Sequence, residues 1–320
     1  MDYTSLGNTG LNVSVAGLGC GGNSCLGLGS GRSEAECVAL VRAALDVGVT
    51  YFDTAENYGT EAVVGQALAG IDRDSFVLST KTQIVRAGTR KTPAEVVACL
   101  DGSLKRLRLS YVDVFMLHAV KPADYHYARD IIAPALVAEQ GKGKFAHLGI
   151  TEMSSNDPHQ DMLKCAVQDP CWNVMMFAFH MLNQGARHNV LPHTMANGIG
   201  TLMMFVVRNI FSLPGVLQSA MRDLAESGQV FGALAERDNP LDFLLHDDGA
   251  ETLTDAAYRF VRHEAGTDVV LFGTGSVEHL HSNVASILRP ALPDTDRDRL
   301  SELFGCLTGI GLALPDRVKS

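Results

Sequence analysis

Positive charge is scarce in this chain. Twenty-six lysines and arginines stand against 36 aspartates and glutamates, a formal net charge of −10 over 320 residues, with no basic run anywhere. Neutralising a phosphate backbone needs clustered Lys and Arg, so the balance argues against nucleic acid as a partner. It leaves room for a local pocket that takes one small anionic ligand. Long apolar runs are also missing: none reaches the ~18 residues of a membrane span, and the richest, Trp172–Leu182, is short and contains His180. The first residues carry neither the positive region nor the apolar region of a secretory signal, so none is expected. The seven cysteines are odd in number and show neither C-x-x-C nor zinc-ligand spacing, which predicts reduced thiols in a cytoplasmic protein. No Pro/Ser linker, composition break or low-complexity stretch divides the chain, so residues 1–320 are expected to form one domain.

What is present is an alternation of strand-length apolar runs with helix-length amphipathic stretches. Strands are predicted at Val13–Cys20, Val49–Asp53, Phe76–Thr80, Val112–Leu117, Phe145–Ile150, Asn173–Phe177, Gly200–Met204 and Val269–Phe272. Between and after them, helices are predicted at Ser33–Val47, Glu61–Leu68, Pro93–Leu107, Tyr127–Glu139, Pro158–Val167, Val190–Ala196, Thr254–Glu264 and Val277–Leu288. Ser33 with Glu36 reads as a capping box, and Pro93 suits a first helical turn. A long excursion over 205–253, with one helix at Val216–Glu226, interrupts the pattern after the seventh strand. Strict strand–helix alternation implies a parallel sheet with helices outside it, and eight units close most naturally into an α/β (β/α)8 TIM barrel. An open doubly wound sheet fits less well. The first strand leads not into G-x-G-x-x-G and a helix but into a Gly-rich loop over 21–31.

In a barrel, reactive groups sit at the C-terminal ends of the strands. Asp53 ends the second strand, Lys81 the third and His118 the fourth, with Tyr58 in the loop five residues past Asp53. Individually a strand-end Asp caps, a Lys is solvated, a His packs and a loop Tyr packs. Jointly, on consecutive strands, they put an acid, an amine, an imidazole and a phenol on one rim. His180 suggests a metal with His118 and Asp53, but no paired ligands of the His-x-His kind occur on the first strand, so no metal is expected. His279 and His281 fall on different helix faces.

The segment Gly48-Val-Thr-Tyr-Phe-Asp-Thr-Ala-Glu-Asn-Tyr-Gly59 resembles the G-x-x-x-[FL]-D-T-A-x-x-Y-G signature of the aldo-keto reductases. The opening Leu6-Gly7…Gly10-Leu11-x-Val13-Ser14 is similar to that family's start. So are Ser79-Thr-Lys81, Tyr111-Val-Asp113…Leu117-His118, Gly141-Lys142…Gly149-Ile150 and Gly273-x-x-Ser276…Asn283, in the right order over most of the chain. The resemblance implies the barrel fold, and assigns the family's catalytic Asp, Tyr, Lys and His to Asp53, Tyr58, Lys81 and His118. It implies an NAD(P)-dependent oxidoreductase that interconverts a carbonyl and an alcohol. Tyr58 would be the general acid–base, its pKa lowered by Lys81, which Asp53 holds in place, with His118 orienting substrate. It further implies NADP(H) as cofactor, with NAD(H) close behind, and a small-molecule carbonyl or alcohol as substrate.

The chain departs from the family where the cofactor is gripped. Thr151-Glu152 replaces Ser-Asn after the fifth strand, with the Glu152 carboxylate left to accept from the carboxamide, and Met176 replaces Gln on the sixth. The stacking aromatic after the seventh strand falls on Met204 or Phe205. No Arg occurs in Gly273-Thr-Gly275-Ser276-Val-Glu-His279, where relatives pair a 2′-phosphate. Ser276, His279 and the helix N-terminus remain for that phosphate, and Asn283 follows on the same helix. A cofactor-binding barrel with a sensor or regulatory role and little turnover, and a metal-dependent hydrolase on the same barrel, are the competing readings.

Overall fold

The computed structural model describes residues 1–22, 24–153 and 157–307; of the Gly-rich loop 21–31, Asn23 lies outside the described residues. Eight parallel strands close into a barrel: β1 (Ala16–Gly19), β2 (Tyr51–Asp53), β3 (Val77–Thr82), β4 (Val112–Val120), β5 (Phe145–Glu152), β6 (Val174–Ala178), β7 (Gly200–Met204) and β8 (Val269–Phe272). The ring shuts where β8 pairs β1, Val270 with Ala16 and Phe272 with Leu18. Around it run α1 (Glu34–Asp46), α2 (Glu61–Leu68), α3 (Pro93–Leu107), α4 (Ala133–Gln140), α5 (Asp161–Ala166), α6 (Leu191–Asn197), α7 (Val216–Glu226), α8 (Leu253–Arg262), α9 (Val277–Leu288) and α10 (Asp294–Phe304). Among the described residues no helix is long and apolar enough to cross a membrane.

Local chemistry sets the helix starts. The Ser33 hydroxyl accepts from the Glu36 amide while the Glu36 carboxylate accepts from the Ser33 amide, and Thr92 with Glu95 repeats the reciprocal box ahead of Pro93. Each box stabilises its helix by roughly 0.5–2 kcal/mol.

Strand alternation divides the core in two. Tyr51, Val77, Val114, Met116, Val174, Met176, Leu202, Val269 and Leu271 fill the barrel interior, while a larger cluster packs the outer strand faces against the helices. Each fully buried Leu, Val or Phe contributes about 1.5–3 kcal/mol by leaving water. Gly149 leaves space for the interior Met116, whose Cγ would lie 2.6 Å from a methyl at that position. The interior face of β5 therefore carries Gly149 and Thr151, while Leu148, Ile150 and Glu152 face the helix layer.

The structure departs from the sequence pattern in four places. Val13–Cys20 is not one strand: Asn12–Ser14 pairs antiparallel with Tyr3–Ser5, flooring the barrel with Leu6 and Val13, and β1 starts only at Ala16. Ser14 makes the break, its hydroxyl donating to the Ala16 carbonyl at 2.7 Å and accepting from the Thr50 amide at 2.9 Å. β4 runs on past Leu117 to Val120 through a register shift. A two-residue hairpin joins Val85–Arg86 to Thr89–Arg90. The closing helix α10 falls beyond the last predicted element.

Candidate active site

Parallel register brings the strand ends together. Asp53 lies beside Ser79 across β2 and β3, and Lys81 beside Met116 across β3 and β4, so Asp53, Lys81 and His118 project over the same rim. The Lys81 ammonium is fully buried and donates to both carboxylate oxygens of Asp53, at 2.7 and 2.6 Å, and to the Thr54 carbonyl at 2.9 Å. Ser79 steadies the acceptor, its hydroxyl donating to Asp53 Oδ1 at 2.6 Å. Burial alone works against the ammonium, but the adjacent carboxylate outweighs it and raises the lysine pKa, so the charge persists. Removing either partner would strand a buried charge, at a cost of roughly 3–5 kcal/mol.

Tyr58 sits on the single helical turn Glu56–Tyr58 after β2. That turn is pinned from β3 and beyond: Glu56 accepts from the Thr82 hydroxyl and from Lys91 Nζ. The phenol oxygen lies 3.4 Å from His118 Nε2, with the two rings at 86° and their centroids 5.5 Å apart. Lys81 Nζ stands 5.0 Å from the centre of the Tyr58 ring. Its closest hydrogen bonds go to Asp53 and Thr54, and it acts on Tyr58 chiefly through charge. The net effect corrects the expectation of a lowered phenol pKa: burial pushes it up, Lys81 only partly offsets this, and Asp53 adds to the rise. In this structure Tyr58 is a protonated phenol across the neutral range, the form that donates.

His118 lies where β4 slips register, beside Ala119, whose backbone is in the left-handed region at φ 54°. The Ala119 amide donates to Thr151 Oγ1 at 2.7 Å, which ties the irregularity to β5. Burial, with Lys81 nearby, takes the imidazole pKa down to about 3, so His118 is neutral. Its Nδ1 is buried without a protein partner.

The rim opens into a cleft of about 700 Å3, within the ~300–1,000 Å3 typical of small-molecule sites. Tyr58, Asp53, Gly19 and Gly21 form one end, and Met176, Met204, Phe205, Gly273, His279 and Asn283 continue along it. The floor depends on an absent side chain. A methyl on Gly21 would come 2.6 Å from Tyr58 Cζ, inside van der Waals contact. Phe205 turns out of β7 at φ 61°, with the Arg208 guanidinium 4.7 Å from its ring centre. A bare Gly floor and an apolar wall of Met and Phe, with polar groups of α9 further along, are of a size and chemistry that fit a dinucleotide. A second cavity, of about 340 Å3 beside Asn8, His147, Trp172 and Asn197, contains none of the four rim residues.

Four sequence-predicted cofactor residues are not on the cleft wall. The Thr151 hydroxyl is taken by the Ala119 amide, and Glu152 faces outward, its Oε1 accepting from the Ala178 amide at 2.6 Å. Gly275 packs on the Gly-rich loop, where a methyl would meet Gly27 Cα at 2.8 Å, and Ser276 caps α9 by accepting from the His279 amide. Conversely, Gly21, Arg208, Asn209, Thr252, Thr254, Ser282 and Ser286 line the cleft without having been singled out. Of these, Ser282 and Ser286 had a signal, the helical spacing from His279. His180 is buried with Nδ1 accepting from the Leu182 amide, and no group of three or more metal-ligating side chains forms among the described residues.

The architecture is a closed parallel barrel that sets a buried acid–amine pair beside a phenol and an imidazole near the mouth of a long cleft. The particular family follows from comparison. A model of the Aldo/keto reductase family matches residues 17–304, and the chain belongs to that family. It is 25% identical over 316 residues to L-galactose dehydrogenase of Arabidopsis thaliana, covering 96% of this chain and 94% of that protein. It is 29% identical over 217 residues to aldo-keto reductase YhdN of Bacillus subtilis (strain 168), covering 63% and 61%. Among solved structures, the holo form of aldo-keto reductase AKR11C1 from Bacillus halodurans superposes with a TM-score of 0.72 at 19% identity over the whole of both chains. The thermostable aldo-keto reductase Tm1743 in complex with epalrestat does so at 0.70 and 20% identity, covering 94% of this chain and 99% of that one. Family membership makes the protein an oxidoreductase whose relatives act on small-molecule carbonyls.

Proposed function

We propose that the protein interconverts a carbonyl compound and an alcohol, with a nicotinamide dinucleotide as hydride carrier and Tyr58 as the group that gives and takes the proton. The observation that carries this is the Tyr58 phenol itself, hydrogen-bonded to neutral His118, set over the buried Lys81–Asp53 pair and facing the cleft. When bound, the cofactor supplies the hydride, which no side chain can.

The chain's own residues supply the rest. A carbonyl taking up hydride develops negative charge on oxygen and needs a proton as that charge forms. Tyr58 Oη donates it. The resulting phenolate is stabilised by the Lys81 ammonium, which Asp53 and the Thr54 carbonyl hold charged and immobile. His118, unable to protonate near neutrality, orients the substrate oxygen as a neutral hydrogen-bond partner. In the oxidative direction the same Tyr58 oxygen takes the proton back.

Tyr58→Phe removes the transferable proton and keeps the ring. Reduction of generic aldehydes and oxidation of generic alcohols, with L-galactose in the panel because it names the Arabidopsis relative's activity, should fall by about 10²–10⁴-fold, while cofactor binding is unchanged. Wild-type turnover in Tyr58→Phe overturns the assignment. Cofactor binding without turnover of any substrate by the native protein would favour the sensor reading.

A further inference from the structure

One wall of the cleft is a single helix face. His279, Ser282, Asn283 and Ser286 recur on α9 at the i, i+3, i+4, i+7 spacing of one stripe, and all four line the cleft. At 1.5 Å per residue the stripe runs for about 10 Å. Thr252 and Thr254, at the start of the neighbouring helix α8, line the same cleft and add two more hydroxyls. These six side chains offer hydroxyl, amide and imidazole groups among apolar neighbours such as Tyr258, Leu271 and Phe272, and none of the six is a lysine or arginine.

Arg208 is the only lysine or arginine among the described lining residues. It belongs not to α9 but to the segment after β7, with its guanidinium 4.7 Å from the ring centre of Phe205, the first residue after that strand. The N-terminus of α9 offers little to an anion. Its cap is occupied by Ser276 accepting from the His279 amide, and Glu278 places a carboxylate in the first turn.

We propose that the α9 stripe seats an adenosine whose ribose hydroxyls are both free, so that the protein takes NAD(H) in preference to NADP(H). This rests on the nicotinamide-cofactor reading above and reverses the order that the family resemblance implies. A ribose diol is satisfied by neutral hydroxyl and amide groups. A 2′-phosphate brings between one and two further negative charges and needs Arg or Lys to hold it. With a net charge of −10 and Glu278 on the stripe's own helix, an unpaired phosphate there is repelled rather than bound. Arg208, near the mouth, suits the diphosphate that both cofactor forms share.

The test uses binding rather than turnover. The full chain is titrated with NADH and with NADPH at one ionic strength, following cofactor fluorescence and the thermal shift of the protein. NADH is expected to bind at least about tenfold tighter, a difference of ~1.4 kcal/mol. S282R and S286R, each installing a cation on the stripe, are expected to narrow or invert that ratio. R208A is expected to weaken both cofactors alike. Tighter binding of NADPH by the native protein overturns the inference and leaves the oxidoreductase reading intact. So does a ratio unmoved by both serine variants, or an R208A effect confined to NADPH. Failure of both cofactors to bind sinks the nicotinamide-cofactor reading itself.

Discussion

Glu152→Gln tests how far burial governs the titration of this barrel. The wild-type carboxyl ends β5 facing the helix layer, 2% exposed, with Oε1 accepting from the Ala178 amide and Oε2 buried without a protein partner. Burial raises its pKa from the ordinary 4.5 to about 8, helped by nearby Asp157 and opposed by the Ala178 amide. A carboxyl whose folded pKa lies above its unfolded one is at its most favourable below the unfolded value. Stability is then lost as the pH rises through the folded value. The interval from 4.5 to about 8, at ~1.4 kcal/mol per pH unit, sets a ceiling of about 5 kcal/mol on that loss. Gln keeps the acceptor for Ala178 and cannot ionise. In urea denaturation the two proteins should be about equally stable near pH 5, with the variant gaining steadily and leading by a few kcal/mol near pH 9. Parallel stability curves, or a variant that weakens as the pH rises, would refute the buried neutral carboxyl.

Two further expectations concern the rim. Gly21→Ala forces the Tyr58 ring aside, because the new methyl would lie 2.6 Å from Cζ; turnover should drop on the order of 10²-fold, with a stability loss of roughly 1–3 kcal/mol, as read by steady-state kinetics and denaturation, and unchanged turnover would contradict the close contact. His118 is held down to about pH 3, so it stays neutral as the pH falls through the usual imidazole range near 6.5; the pH–rate profile should show no acid limb there, and a limb that disappears in His118→Gln would show that the imidazole does titrate.

The parts of this protein legible from its sequence are those set by short-range periodicity. Eight apolar runs separated by amphipathic stretches gave the strand count and order, and the Ser33–Glu36 box and Pro93 located helix starts to within a residue. Breaks in that periodicity were harder to read. Ser14 interrupts an apolar run with hydrogen bonds to Ala16 and to Thr50, 36 residues away, and a run of apolar letters shows neither. The slip in β4 at His118 depends on a tie between the Ala119 amide and Thr151 on the next strand, and is equally invisible locally.

The same distinction separates the rim residues from the rest of the cleft. Asp53 and Lys81 come from strand ends, where parallel pairing and a two-residue alternation leave little freedom over which rim a side chain reaches. Tyr58 follows five residues later on a turn that the Glu56 carboxylate anchors. The cleft instead borrows from the 205–253 excursion, the Gly-rich loop and one face of α9, whose mutual placement is tertiary. Thr151 and Glu152 show what such placement decides. On β5 alternation turns Glu152 out of the barrel, and the Ala178 amide engages its carboxylate there. A residue at the motif position for cofactor contact thus becomes part of the wall behind it. The four residues at i, i+3, i+4 and i+7 of α9 belong to both cases. Their common face follows from helical period alone, but only the closed barrel shows that this face borders the cleft beginning at Tyr58. If a dinucleotide lies along that cleft, its selectivity resides in side chains whose spacing the sequence displays and whose neighbours it does not.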